Sequence, residues 1–185
     1  FTKGDYLLFL NNDTEMITET ALSELLGCCM REDVGAVGAK LLYSDDTVQH
    51  AGVVIGFGGY AGHVNMGIKR DDYGYMVRAR INCNYSAVTA ACMMTKKSLF
   101  EQVGGFDEQF VVACNDVDYC LKIRELDKWV IYNAFSEWYH YESKSRGYED
   151  TPEKLKRFEG EVEKFQKKWP EILEKGDPFY NPNFP

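Results

Sequence analysis

Three short polar clusters, each directly behind an apolar run, limit what this chain can fold into. Asn11-Asn12-Asp13 stops the run Tyr6-Leu7-Leu8-Phe9-Leu10. Asn115-Asp116-Val117-Asp118 forms the second cluster, and His140-Tyr141-Glu142-Ser143-Lys144-Ser145-Arg146-Gly147 the third. A continuous apolar run marks a strand covered on both faces. Carboxylates, an imidazole and a guanidinium just past strand ends sit where open α/β sheets bind ligands. The pattern suggests a metal–diphosphate site with a general base facing it.

With 185 residues the chain is long enough for one real core. Its formal net charge of -8 argues against a nucleic-acid surface, which needs clustered Lys and Arg. Its longest apolar runs are far too short to cross a bilayer. The six cysteines form no CxxC pair and mostly sit inside apolar runs, so they read as reduced core residues of a cytoplasmic protein. Phe1-Thr2-Lys3-Gly4 has no initiator Met and leads at once into a buried-looking strand. The expectation is a fragment that begins inside a larger fold.

Along the chain, the strand Tyr6–Leu10 is followed by a helix over 20–30, with Ala21, Leu22, Leu25, Leu26 and Cys29 on one face and Thr18 or Thr20 as cap. Val34–Leu42 and Val48–Ile55 read as strands around the turn Ser44-Asp45-Asp46. Residues 56–67 are a glycine-rich loop without the strand and helix that a nucleotide fingerprint requires. Residues 71–80 read as a short helix or lid, Ser86–Met94 as a strand, and 96–103 as a helix closed by Gly104-Gly105. A helix over 115–126 precedes a strand over 129–132. Thr151-Pro152 opens a long helix whose Leu155, Phe158, Val162 and Phe165 make one packing stripe. The Pro-rich tail from Gly176 reads as an extended strap.

Each cluster also has a plain structural reading. Asn11-Asn12-Asp13 suits a turn. Asn115-Asp116-Val117-Asp118 suits a helix cap with acids complementing the dipole. His140 suits a satisfied core position among aromatics. In the functional readings, Asp13 takes a hard divalent cation, one carboxylate of the second cluster is a general base, and the run from Ser143 to Arg146 takes phosphate oxygens.

The clusters and their order resemble a known family. Leu7-Leu8-Phe9-Leu10-Asn11-Asn12-Asp13 resembles the strand and D-x-D-like metal motif of family 2 glycosyltransferases with the GT-A fold. Gly104-Gly105-Phe106-Asp107-Glu108 with Asn115-Asp116-Val117-Asp118-Tyr119-Cys120-Leu121-Lys122 resembles their GGFDE and ED-x-D-x-x-x-R block. His140 to Gly147 is similar to the H-x-x-S-x-S-R-G element of bacterial members, including rhamnosyltransferase-like enzymes of surface-polysaccharide assembly. The resemblance runs from Asp5 to about Gly147. It implies an inverting transferase that moves a sugar from a nucleotide-diphosphate sugar donor to a glycan or lipid-linked acceptor. Asp116 matches the base. Asp13 and His140 match ligands of Mn²⁺ or Mg²⁺, and Ser143, Ser145 and Arg146 match donor-binding residues. Asn11 and Asn115 depart from the acids many members carry. The N-terminal half that holds the nucleotide base has no counterpart here.

The expected fold is therefore α/β: a GT-A-like mixed, mostly parallel sheet flanked by helices, lacking most of the nucleotide-binding half. Residues 1–185 form one partial domain, with a catalytic and acceptor core over 1–150 and a helix and tail over 151–185. Such a fragment is expected to bind nucleotide sugar poorly, and the complete protein to work in the cytoplasm or at the inner face of the membrane. The strand Tyr6–Leu10 is expected to lie at an exposed edge, inviting self-association or cover by Phe179, Tyr180 and Phe184 of the tail. A non-catalytic carbohydrate- or partner-binding domain built on Trp138, Tyr139 and Tyr141 is the alternative from another class. A metal-dependent phosphohydrolase or nucleotidyltransferase is a third.

Overall fold

The computed structural model describes residues 3–141, 151–181 and 183. In chain order the elements are β1 (Tyr6–Leu10), β2 (Thr14–Met16), α1 (Ala21–Cys29), β3 (Val34–Leu42), β4 (Val48–His50), β5 (Val53–Ile55), β6 (Ala61–His63), β7 (Cys83–Asn84) and β8 (Cys92–Lys96). Then follow α2 (Lys97–Gln102), α3 (Asn115–Glu125), β9 (Trp129–His140), α4 (Pro152–Lys168) and α5 (Pro170–Lys175). The main sheet runs β1-β8-β3-β9-β2, with β4 beside β3 and β7 beside β9.

The sheet is mixed, as expected, but its balance is not mostly parallel. Among the described strands only β3 and β9 pair in parallel, and the other pairings are antiparallel. The apolar runs misled on this point because burial on both faces does not depend on strand direction. β3 is buried along its whole length. Its Val37, Ala39 and Leu41 meet α1 through Ala21, Leu25 and Cys29. Its Ala36 and Leu42 join the opposite layer, where α3 and Phe165 of α4 pack. Leu22, expected on the buried face of α1, is exposed. Gly38 allows close approach on the second layer, since a Cβ there would stand 2.4 Å from Cβ of Val88.

Two expected strands are broken. Val48–Ile55 divides at Gly52, which has φ +110° and whose added Cβ would meet the Tyr85 ring at 2.2 Å. The expected strand Ser86–Met94 begins only at Cys92, because Ala87 bridges to Val53 instead of joining the sheet. One strand is much longer than expected. β9 spans 12 residues rather than stopping at Tyr132. Its pairing with β3 jumps between Asn133 and Glu137. The fully buried Asn133 closes that bulge: its Oδ1 accepts from N–H of Phe135 (2.9 Å) and Ser136 (3.2 Å), and its Nδ2 donates to the Glu24 carbonyl of α1 (3.0 Å). Buried Lys40 at the same level pairs with Glu137 at 3.0 Å, and Glu137 also takes Arg70 at 2.7 Å. The bulge thus carries β9 onward to His140.

β1 pairs with β8 alone among the described strands. The described anchors of the tail pack elsewhere. Phe179 lies 6.3 Å from the Trp129 ring, and Arg124 stacks over it at 4.9 Å. Phe184 lies outside the described residues. Cys29, Cys92, Cys114 and Cys120 are buried, and Cys28 and Cys83 are half-buried.

Candidate active site

β2 and β9 pair so that Thr14 stands opposite His140, and N–H of Tyr141 donates to the Asp13 carbonyl at 2.9 Å. This register brings together side chains from opposite ends of the chain. Asp13 Oδ1 lies 3.3 Å from His140 Nε2. Asn11 Nδ2 lies 3.1 Å from the same nitrogen, while N–H of Asn11 is tied to the Ala91 carbonyl at 2.9 Å.

Gln49 of β4 sets the ring. Its Nε2 donates to the His140 carbonyl (3.4 Å), which leaves Oε1 facing His140 Nδ1 at 2.6 Å. An amide oxygen only accepts, so Nδ1 carries a proton and donates, and in the neutral ring Nε2 then presents its lone pair toward Asn11 and Asp13. Holding one imidazole nitrogen so that the other can ligate is the usual support of a metal-binding histidine. A carboxylate oxygen and a lone-pair nitrogen 3.3 Å apart suit a cation between them. No group of three or more His, Cys, Asp and Glu capable of a metal cage exists among the described residues. Asp13 and His140 therefore fit a two-point seat for an ion whose remaining ligands come from phosphate oxygens and water, a common arrangement for Mg²⁺ and related ions.

Asp116 lies at the start of α3, but the cap is not where the sequence placed it. The N-cap is Cys114, in the left-handed region at φ 63°, one residue before Asn115. Asn115 Oδ1 accepts from N–H of Asp116 (2.7 Å), and Asp116 Oδ1 from N–H of Val117 (2.8 Å). Asp116 Oδ2 accepts from N–H of Ala90 at 3.0 Å, across from the turn that replaces the expected strand. Each oxygen keeps a further lone pair, so the side chain is fixed without exhausting its acceptor capacity. Asn11, Gln49, His63, Ala90, Asp116 and His140 line one cavity of about 340 Å³. Asp13 is not part of that lining and meets it only through its 3.3 Å contact with His140. Ser143, Ser145 and Arg146 lie outside the described residues.

Two supports carried no signal in the sequence. Glu161 of α4, 2% exposed, accepts N–H from Val111 (3.3 Å), Val112 (3.2 Å) and Ala113 (2.5 Å). It clamps the loop that enters α3 and contributes Val112 to the cavity wall. Behind the wall, His50 Nδ1 lies 3.1 Å from His63 Nδ1. Burial, then His63 and His140, hold the pKa of His50 well below the ordinary imidazole value. A larger cavity of about 800 Å³ surrounds Arg70 and Glu137 but includes neither Asp116 nor His140.

Comparison with known proteins agrees with this architecture. No family model matches the chain. It is 45% identical over 183 residues to the uncharacterised protein y4gI of Sinorhizobium fredii, covering 98% of this chain and 20% of that one. It is 39% identical over 184 residues to the O-antigen biosynthesis protein RfbC of Myxococcus xanthus, covering 97% of this chain and 14% of that protein. The chain thus spans a fifth or less of these relatives' lengths. Among solved structures it is similar to GalNAc-T7 with UDP, GalNAc and Mn²⁺ (TM-score 0.61, 11% identity, 86% of this chain and 31% of that one). It is also similar to the mannosyltransferase PcManGT of Pyrobaculum calidifontis with GDP-Man and Mn²⁺ (TM-score 0.51, 17% identity, 80% and 34%). These likenesses show the fold: a mixed α/β sheet of the GT-A glycosyltransferase type. No helix among the described residues is long and apolar enough to cross a membrane.

Proposed function

We propose that this chain is the catalytic and acceptor part of an inverting, nucleotide-sugar-dependent glycosyltransferase of family 2, acting in bacterial surface-polysaccharide synthesis. The observation that carries the reading is the shared cavity: Asp116 and His140 line it, and Asp13 stands against His140. The relative named for O-antigen biosynthesis supports the polysaccharide setting, and the two neighbours solved with Mn²⁺ support the metal.

In this reading Asp116 takes the proton from an acceptor hydroxyl. The oxygen attacks the anomeric carbon from the face opposite the phosphate. The carbon–oxygen bond to the diphosphate breaks, and its electron pair leaves with the nucleoside diphosphate. A divalent cation bound at Asp13 and His140 would neutralise that leaving charge. Ser143, Ser145 and Arg146 would donate hydrogen bonds to the phosphate oxygens. Gln49 keeps the His140 lone pair aimed outward. The backbone N–H groups of Ala90 and Val117 keep Asp116 in place.

The test is Asp116→Asn in the complete protein. The amide keeps the shape but only one acceptor oxygen, so the N–H of either Ala90 or Val117 loses its partner at a cost of about 1–3 kcal/mol, and rates are compared below the melting temperatures of both proteins. Transfer should fall by about 10²–10⁴-fold, the usual contribution of a positioned base. Retention of more than about a tenth of the rate would remove Asp116 as the base.

A further inference from the structure

Beside the cavity of Asp116 lies a second one of about 470 Å³, to which neither the fold nor the chemistry above assigns a role. His63 and Met66 line both, so the two cavities adjoin at these side chains. The second cavity is walled by rings: Phe57 and Tyr75, both more than half exposed, then Tyr85, Phe179 and Tyr180. Arg78 is its only charged lining residue among those described. The guanidinium stacks on Tyr85 at 4.7 Å and donates to the Phe179 carbonyl at 3.1 Å. No carboxylate pairs with it among the described residues, and a guanidinium carries five donors. A guanidinium without a carboxylate partner among the described residues, set among aromatic rings, stands out in a chain of net charge -8.

From this geometry we infer that the groove binds an anionic sugar residue of the acceptor. The flat faces of Tyr75 and Phe57 suit the apolar face of a pyranose ring, and the fork of Arg78 suits a carboxylate or phosphate on it. The shared wall of His63 and Met66 sets that residue beside the cavity where the acceptor hydroxyl would face Asp116. The inference rests on reading the adjacent cavity as that of a glycosyltransferase.

The two sources of negative charge are separable by probe. Tri-galacturonate, its carboxyl-reduced neutral counterpart and glucose 1-phosphate are titrated into the full chain and followed by calorimetry and saturation-transfer NMR. Either the uronide or the sugar phosphate should bind about tenfold or more tightly than the neutral trisaccharide. The anionic probe that binds names the source. Arg78→Gln should erase the preference, and Tyr75→Ala should weaken every probe that binds. Should Arg78→Gln fail to fold, the preference of the unmodified chain remains the test, with Arg78→Lys retaining the charge but losing the fork. Equal binding of neutral and anionic probes, binding of none, or an unchanged preference in a folded Arg78→Gln variant would overturn the inference. Mn²⁺-dependent hydrolysis of a sugar-nucleotide donor, followed separately in the complete protein, tests the underlying transferase reading. Its loss with saccharide binding intact, or the reverse, tells the two failures apart.

Discussion

Removing Glu161 should loosen the entrance to α3 from a distance. Its carboxylate is almost fully buried and accepts three consecutive backbone N–H groups, from Val111, Val112 and Ala113. In Glu161→Ala those donors lose their acceptor. Each buried donor left unmet costs about 1–3 kcal/mol. Val111 is 71% exposed, so water can reach its amide and the cost there is small. The remaining two give about 2–6 kcal/mol of destabilisation. For a chain of this size each kcal/mol moves the melting temperature by about 2–4 °C, so a fall of roughly 4–24 °C is expected. Glu161→Gln keeps one acceptor oxygen and should lose less than half as much. Thermal and urea unfolding measure the totals, and hydrogen exchange at residues 111–113 localises them. A shift below about 0.5 kcal/mol in Glu161→Ala, or unchanged exchange at Val112 and Ala113, would show that the carboxylate does not hold the loop.

Three further outcomes follow from the same geometry. Gln49→Leu removes the acceptor that fixes the His140 tautomer and should weaken Mn²⁺ binding by about 10–100-fold, read by calorimetry, and should also cost about 1–3 kcal/mol of stability for each buried His140 group left unmet. His50 has a lowered pKa in the folded protein, so the unfolded chain binds its proton more readily. Stability should therefore fall as pH drops below the ordinary imidazole value, by up to about 1.4 kcal/mol per pH unit, and melting curves of His50→Asn should lack that contribution. Gly38→Ala should destabilise by about 2 kcal/mol or more, since its Cβ would enter the Val88 side chain at 2.4 Å; urea unfolding with an unchanged midpoint would contradict the packing described.

The chemistry-bearing residues were legible because polar groups behind apolar runs have few reasons to be there. Asp13, Asp116 and His140 stood out for that reason, and the structure brings Asp13 onto His140 and places His140 in one cavity with Asp116. What the sequence hid was anything decided by distant contacts. β9 looked finished at Tyr132 because polar Asn133 and Ser136 interrupt it, and only the bulge geometry shows why they belong there. Strand direction was hidden because full burial of β3 arises equally from either direction. Glu161 carried no pattern, since a single acid declares its role only through its partner. The aromatic groove draws on Phe57, Tyr75, Tyr85 and Phe179, which share no periodicity.

The bond between Asn11 and His140 closes a separation of 129 residues. Contacts so distant in sequence are costly to form early, because the intervening chain must already be ordered. On a ribosome the first cluster emerges long before its partner strand, and at about 5–20 residues per second the interval is on the order of ten seconds. Through that time β1 and β3 have no completed sheet to join, and Asp13 has no imidazole beside it. Nascent chains of this protein thus pass through a stage with substantial apolar strand and no assembled site. The contact between Asp13 and His140 forms only when β9, the last strand in chain order among those described, is laid down.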